Sequence, residues 1–467
     1  MTRSPRKTCA VAVLKAGVMA SLLLYGATAG AQAAPVVPSP SLMHPQAGTG
    51  APLVVTLADA LQRAKENEPQ FLATAADAAL AHEDAVQARS ARLPAFSDST
   101  QYIGNQASPG LRTGRFVSMD GVNMYREWLQ AHQELSPSTL MGTSVQKASA
   151  SEAVARARFE IAQRGLAVTV TRNYYAFISA QRKYATAQQA AQQAQRFFDI
   201  AQQQERLGQV ARSDVVKAEI SYRQQHQAFD EAMLAMDNAR LSLAVLLFPA
   251  FNENFSVVDD MRSAPALPPF ADIRAMAEKD NPDLRAADQL LAAANADVRL
   301  SKGAFFPSIV VDAVYGIEAN EFALHGVPAA DPALGVLPNL GYAITVNLTA
   351  PIWDWGATRS KLRQSEVRQR QAQVTLSQTQ RQLMSNLYSM YNEALTARDA
   401  VDNLRRAAEL ATESLRLTTL RYQAGESTAF EMVDAQNTLV QAGNAADDAE
   451  ARYRVAIAEL QTLTGSF

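Results

Sequence analysis

The sequence has very little cysteine, few aromatic residues and almost no net charge. Its one cysteine, Cys9, among 467 residues excludes a disulfide scaffold and zinc sites built from several cysteines. The formal net charge is −3 and leaves no basic footprint, so nucleic acid is not an expected partner. From Ala34 onward no uninterrupted apolar run approaches 18 residues, which excludes an ordinary transmembrane helix.

Catalytic and metal-binding motifs are equally scarce. The five histidines are scattered, and none forms an i, i+4 pair with another histidine. The sequence contains no glycine-rich phosphate loop, nucleophile elbow or metal-ligand cluster. We therefore expect no enzyme activity, no cofactor and no metal site.

Residues 1–33 have the pattern of a secretory signal peptide. Basic residues precede an apolar stretch, and Ala31-Gln32-Ala33 supplies an A-x-A cleavage pattern. Cleavage after Ala33 would remove Cys9 and leave no thiol, which suits an oxidising compartment outside the cytoplasm. A short membrane anchor is the alternative, although the apolar run is shorter than the ~20 residues that span a bilayer. Residues 34–52, rich in proline, are expected to be a flexible lead-in.

The mature sequence is a tandem duplication. At an offset of 213 residues Pro69 matches Pro282 and Pro94 matches Pro307, and at an offset of 217 Gly208 matches Gly425. Matches kept in order over so long a span indicate two copies of one structural plan.

Each half predicts the same order of elements: a helix broken by proline, two strands, a long helix, a glycine turn and a return helix. Residues 357–421 contain neither glycine nor proline, and their apolar residues recur at heptad spacing. Gly208 and Gly425 would end the long helices, and Ser213-Asp214 and Ser427-Thr428 would cap the return helices. The predicted bounds are, for repeat 1 (53–247), strands 96–106 and 125–135, long helix 143–205 and return helix 211–247; a linker, 248–269; and, for repeat 2 (270–467), strands 306–316 and 342–350, long helix 357–421 and return helix 428–464.

The strand from Tyr342 to Thr349 alternates apolar residues with small polar ones. Half-buried strands of soluble sheets commonly alternate in this way. Two features instead favour a strand of a barrel wall in lipid. Its polar face has only small residues, and aromatic residues lie near the strand ends. The expected membrane-interface aromatic residues are Trp128, Trp353, Trp355 and Tyr342.

Four strands are too few to close a barrel, so copies of the chain would have to close it together. Three copies would supply twelve strands, and their helices would form a matching ring. The predicted fold is mainly α with a small β part: a long α-helical coiled-coil barrel, plus four strands per chain that contribute to a trimeric 12-stranded outer-membrane β-barrel.

This arrangement resembles the TolC family of outer-membrane efflux channels. The resemblance covers about residues 53–464 and rests on the duplicated Asn/Glu-Pro helices, the segment 348–356 and the turn segments 206–218 and 422–435. It implies a homotrimer in outer-membrane lipid with a long periplasmic extension. It also implies a periplasmic adaptor (membrane fusion) protein and an inner-membrane pump as partners.

The resemblance also implies a gate at the periplasmic end. Its acidic rings would fall at Glu431 and Asp434, which share a helix face. The restraining contacts would join Tyr422 to Asp214, and Ser213 to Ser427. At Ser427 the well-studied drug-efflux member has an arginine, so this contact is expected to differ here.

Two other functions remain to be weighed. A periplasmic coiled-coil adaptor or scaffold would fit the heptads but not the four strands. A general diffusion porin would have many strands and almost no long helix. The exported substrate, whether a drug, metal, polymer or protein, is not encoded in any motif of the chain.

Overall fold

The computed structural model describes residues 52–104, 123–250, 254–263, 265–319, 322–328 and 336–465. The predicted signal peptide, Cys9 and residues 34–51 lie outside this part of the chain. Helices dominate it, in agreement with the predicted fold class. None of the helices in the described residues has the length and apolar character needed to cross a membrane.

Four helices of each half correspond in order, and the four-residue helix Pro137–Leu140 has no counterpart among the described residues of the second half. In chain order they are α1 (Leu57–Asn67), α2 (Pro69–Ser90), α3 (Pro137–Leu140), α4 (Thr143–Arg206), α5 (Arg212–Leu247), α6 (Phe270–Asp280), α7 (Pro282–Gly303), α8 (Ala357–Gln423) and α9 (Ala429–Thr464). Helices α1 and α6 both have 11 residues, α2 and α7 both have 22, and α5 and α9 both have 36. The equal lengths bear out the duplication read from the sequence.

Proline divides the first helix of each half, because it lacks the N–H group that a continuous helix needs. Pro69 and Pro282 occupy the first position of α2 and α7, where that N–H is not needed. The preceding residue caps the new helix in both cases. The Asn281 side chain accepts a hydrogen bond from the Leu284 N–H at 2.9 Å, and Glu68 does the same for Gln70.

Four strands form one antiparallel sheet in the order β2 (Ala95–Gly104), β3 (Asn123–Leu135), β5 (Ser308–Ala319) and β8 (Leu340–Thr349). Strands β2 and β8 are its edges. Strands β2 and β5 each begin directly after a proline, Pro94 or Pro307, so β5 starts at 308 and not at the predicted 306. Strand β8 begins two residues before the predicted 342, and residues 105 and 106 of the first predicted strand lie outside the described residues.

A second, two-stranded sheet within the described residues was not predicted. Strand β1 (Leu53–Val55) pairs in parallel with β4 (Phe255–Val257), which lies in the segment that links the halves. A 3₁₀ turn, Met261–Ser263, follows β4. Two further short strands, β6 (His325–Pro328) and β7 (Val336–Pro338), pair in antiparallel fashion.

The small sheet is held against the long helix α4 by buried tyrosines. The Tyr174 hydroxyl donates hydrogen bonds to the Val258 carbonyl at 2.8 Å and the Val55 carbonyl at 3.3 Å. Burial, reinforced by the charge of Asp260, raises the pKa of Tyr174 to about 12. The largest apolar cluster surrounds this point and joins α1, α4, α5 and both strands.

Candidate functional site

The sequence predicts function at two places: the tips of the helical hairpins and the four-stranded sheet. At the tips, Gly208 and Gly425 adopt the left-handed conformation, with φ of 74° and 78°. The Gln209 N–H then reaches the Gln204 carbonyl and the Glu426 N–H reaches the Arg421 carbonyl. This pattern ends a helix and favours glycine, because a side chain is strained at positive φ.

The two return helices begin differently. Thr428 caps α9 by accepting a hydrogen bond from the Glu431 N–H. Helix α5 begins at Arg212, so its cap position is Ala211, which makes no side-chain cap. Ser213 and Asp214 therefore lie in the first turn of α5, and the prediction that they cap it is wrong. Asp214 and Glu431 nevertheless occupy equivalent positions, the third of each helix.

Tyr422 lies in the apolar cluster that joins the two tips. Its ring is 5.2 Å from that of Phe197, in an edge-on arrangement. Its hydroxyl donates to Gln204 Oε1 at 3.3 Å, so its hydrogen-bond partner is Gln204 and not the predicted Asp214. Burial raises the pKa of Tyr422, and the nearby charge of Asp214 raises it further, so the two residues interact through charge.

The carboxylates expected to form acidic rings differ in their surroundings. Glu431 is half-buried, accepts a hydrogen bond from Ser427 at 2.7 Å and lies 3.7 Å from Arg421. Asp434, one turn further on, is exposed and makes no ion pair or hydrogen bond with the described residues. Ser427 is thus bonded to Glu431, and no hydrogen bond joins it to Ser213.

One face of the four-stranded sheet is apolar and exposed. On β8 it consists of Tyr342, Ile344, Val346 and Leu348, each more than 60% exposed. The register pairs these residues with Tyr315, Ala313, Val311 and Ile309 of β5, so the apolar band continues across strands. A broad exposed apolar face of this kind is what a barrel wall presents to lipid.

The opposite face is polar. On β8 it consists of Ala343, Thr345, Asn347 and Thr349. His132 Nδ1 lies 2.6 Å from Asp312 on the neighbouring strand, and Arg126 pairs with Glu318 at 2.7 Å. These pairs were not predicted from the sequence. The alternation of Arg126, Gln130, His132 and Glu134 along β3 could have indicated them.

Trp128 does not lie where it was expected. The register places it opposite Gly316, on the face that carries Arg126 and His132, and the Arg126 guanidinium lies 5.1 Å from its ring. This face is the polar one, so the assignment of Trp128 to the lipid interface is wrong. Glu127 lies on the apolar face, as its position predicts, and there accepts a hydrogen bond from Thr100 at 2.6 Å.

The other three aromatic residues fit two separate levels of the apolar face. Tyr342 lies near the loop end of β8, where Tyr102 and Tyr315 are also exposed. Trp353 and Trp355 follow the other end of β8, with ring centroids 5.6 Å apart and with 75% and 89% exposure. Aromatic residues at both ends of an apolar band are typical of the two interfaces of a membrane.

Comparison with known proteins gives one consistent result. The family model described as "Outer membrane efflux protein" matches residues 60–247 and 274–466, which are the two halves of the duplication. The outer membrane protein TolC of Vibrio cholerae is 24% identical over 429 residues, covering 88% of this chain and 90% of TolC. The pyoverdine export outer membrane protein OpmQ of Pseudomonas aeruginosa is 31% identical over 190 residues, covering 40% of this chain and 36% of OpmQ.

Solved structures share the fold. The open state of the Neisseria gonorrhoeae MtrE outer membrane channel superposes with a TM-score of 0.72 at 21% identity, over 88% of this chain and 89% of MtrE. At that level of identity the likeness concerns the fold alone.

Proposed function

Because the chain belongs to the outer membrane efflux protein family, and is thus an outer-membrane channel of a tripartite export system, we propose that three copies form one continuous duct. In this proposal the sheets close a 12-stranded barrel in the membrane, and the helices form a tube in the periplasm. A periplasmic adaptor and an inner-membrane pump deliver the cargo to the helical end. The proposed function is transport, without a chemical step.

The open edges of the sheet carry the proposal. Strands β2 and β8 each have one partner within the described residues, and unpaired edges bind other strands readily. Pairing β2 of one copy with β8 of the next satisfies both edges. Three sheets of four strands then give an even-numbered barrel wide enough for a channel.

The long helices support a tube. Helix α8 has 67 residues, so it extends about 100 Å at 1.5 Å per residue. Apolar side chains remain exposed along α5 and α8, among them Leu234, Leu241, Val374 and Leu417. A helix of that length needs lateral neighbours to cover such residues, and further copies of the chain would supply them.

We propose that the hairpin tips form the periplasmic gate. With three copies around an axis, Glu431 and Asp434 would form two rings of carboxylates, and such rings favour cations. The contacts that would hold the closed form differ from those first expected. Tyr422 binds Gln204, and Ser427 orients Glu431 within its own hairpin.

Gel mobility and membrane fractionation test the assembly together. We expect the chain in the outer-membrane fraction, with a band that shifts from trimer to monomer when the sample is boiled in SDS. A soluble periplasmic monomer would instead favour the adaptor or scaffold alternative and contradict the duct. Co-purification from native membranes tests the partners, with an adaptor and a pump expected to accompany the trimer.

A further inference from the structure

A buried arginine of the first half joins the C-terminal ends of two helices of the second half. Arg164 of α4 is 7% exposed. Its Nη1 donates to the Thr462 carbonyl at 2.8 Å, and its Nη2 lies 3.4 Å from the Asp280 carbonyl. These carbonyls belong to the last turns of α9 and α6. One guanidinium therefore serves two helix C-termini, where the helix dipoles favour a cation.

The duplication places a second arginine at the equivalent position. Gln163-Arg164-Gly165-Leu166 of α4 matches Gln380-Arg381-Gln382-Leu383 of α8 at the offset of 217. Because α5 and α9 match in length, as do α1 and α6, the acceptors have counterparts too. Thr462 corresponds to Val245 in the last turn of α5, and Asp280 corresponds to Asn67 at the end of α1.

Within one chain these counterparts do not meet. Helix α9 packs against both α8 and α4, whereas α5 packs against α4 and has no comparable contact with α8 in the described residues. Arg381 is exposed, and its hydrogen bond in that part of the chain is from Nε to the Ser377 carbonyl of its own helix, at 3.4 Å. The guanidinium thus retains unused donors.

The C-terminus of α5 lacks a donor at the same place. The Val245 carbonyl would accept from the residue four positions on, but that residue is Pro249, which has no N–H. The last turn of α5 contains no basic residue. The Leu247 carbonyl, by contrast, accepts from the Asn67 amide at 2.8 Å, much as the Leu463 carbonyl accepts from Asn281.

The surface around Val245 is apolar and uncovered. Leu241 and Val245 are 43% and 60% exposed, whereas Ala458, the counterpart of Leu241 on α9, is 4% exposed. The face of α9 that is buried within the chain is therefore exposed on α5. A second copy that repeats the packing of α9 on α4 would cover this face with its own α8.

We propose that Arg381 of one copy caps the C-terminal end of α5 in a neighbouring copy, at the carbonyls of Val245 and Asn67. The inference rests on the proposed trimer and identifies one contact of its interface. The ion pairs that Arg164 makes with Glu160, and Glu160 with Arg285, have no equivalent there, since Ser377 and Leu72 occupy those positions. Arg381 is therefore neutralised by helix ends alone.

Cross-linking distinguishes the two arginines. The mature chain is expected to contain no cysteine, so the pair Val245→Cys and Arg381→Cys can be joined by a bismaleimide of about the reach of an arginine side chain. We expect boiling-resistant dimers and trimers from this pair. The equivalent pair Thr462→Cys and Arg164→Cys is the matched control and should give a link within one chain, with monomers on the boiled gel.

An absence of cross-linked species from the first pair, in a chain that still runs as a trimer before boiling, overturns the inference and leaves the trimer intact. A wild-type chain that runs as a monomer overturns both.

A second measurement avoids cysteines. Arg381→Ala should lower the temperature at which the trimer dissociates in SDS by several degrees, and Arg381→Lys should lower it less. Arg368→Ala, on another face of α8, should leave it unchanged. An unchanged temperature for Arg381→Ala contradicts the contact.

Discussion

At the residue scale, a network of charged side chains fixes the segment between the halves to the helices. Arg182 of α4 binds Asp259 of that segment through two bonds of 2.7 Å, and also binds Asp447 and Glu450 of α9 at 2.9 Å. Burial by itself would lower the pKa of Arg182, but these carboxylates raise it, so the side chain stays charged. Moving the linker away would leave the charge of Arg182 without part of its partners, which costs free energy. The network therefore sets the position of the linker.

Tyr174 gives the first prediction, because its hydroxyl is hydrogen-bonded both to Val55 of β1 and to Val258, the residue after β4. Replacing it with phenylalanine removes the bonds to Val55 and Val258, and we expect a loss of about 1 kcal/mol in unfolding free energy. Tyr184→Phe is the control, since the Tyr184 hydroxyl makes no hydrogen bond in the described residues and its ring contact with Phe229 is kept. Denaturant unfolding of both variants measures the difference, and equal stabilities would contradict it.

The same residue predicts a dependence on alkaline pH. Its pKa is raised from 10.0 to about 12 in the folded chain, so the folded state favours the neutral phenol. This contribution is fully present below pH 10 and is lost as the pH rises through about 12. Between these values the wild type should lose more stability than Tyr174→Phe, as measured by melting temperature across the range. Parallel losses in both chains would argue against the raised pKa.

The gate carboxylates give a prediction about current. Replacing both Glu431 and Asp434 with alanine would remove six carboxylates from the proposed trimer. We expect a larger single-channel conductance in planar bilayers and weaker block by multivalent cations, because like charges around an axis concentrate cations. Glu409→Ala with Glu413→Ala, exposed acids further along α8, serves as the control. Unchanged currents in the first variant would count against the gate.

At the scale of single elements, the turn glycines test how the hairpins are built. Gly425→Ala must hold a side chain at a φ of 78°, which costs about 1–2 kcal/mol. Gly443→Ala lies inside α9 with open space around its Cβ, so it should stabilise by about 0.5–1 kcal/mol. Hydrogen exchange of the hairpin amides should speed up near the tip in the first variant and slow down in the second. The reverse order would contradict the role of the turn.

Strand β8 offers adjacent residues on opposite faces of the sheet. Ile344→Lys places a charge on the apolar face, where it costs about 2–4 kcal/mol at the middle of a bilayer. Thr345→Lys places the same charge on the polar face, where water is expected. We expect the first variant to be lost from the outer-membrane fraction and the second to insert and reduce cation preference. If both insert equally well, the assignment of the faces is wrong.

Some features of the helices and strands could be predicted from the sequence, and others could not. The breaks at Pro69 and Pro282 and the turns at Gly208 and Gly425 were predictable, because each follows from the backbone chemistry of one residue. The face on which Trp128 lies was not, because polar and apolar residues occur on both faces of β3. Its position follows from the register with β5, which single-strand alternation does not reveal.

At the scale of the whole molecule, the single chain leaves two kinds of surface uncovered. Among the described residues the sheet has two open edges and an exposed apolar face, and α5 and α8 carry exposed apolar residues. The family to which the chain belongs acts in the outer membrane. In the proposed assembly, lipid covers the apolar face, and further copies of the chain cover the edges and the helices.

The route to that membrane gives a prediction for residues 1–33. Cleavage after Ala33 would remove Cys9, and so the mature protein should react with no maleimide even when denatured. Intact-mass measurement should give a chain that begins near Ala34. The control is a chain without residues 2–33, which should stay in the cytoplasm. A labelled thiol in outer-membrane material would contradict the processing.

The sequence by itself determined the duplication, the long helices, the four strands of the main sheet and the glycine turns at the hairpin tips, because period, proline and glycine act over a few residues. Only the tertiary structure decided which residues meet across elements. It joined Tyr422 to Gln204, paired the three-residue strands β1 and β4, and left Arg381 exposed while burying its counterpart Arg164. Such contacts depend on the register and packing of segments up to about 300 residues apart, and a local pattern does not encode them.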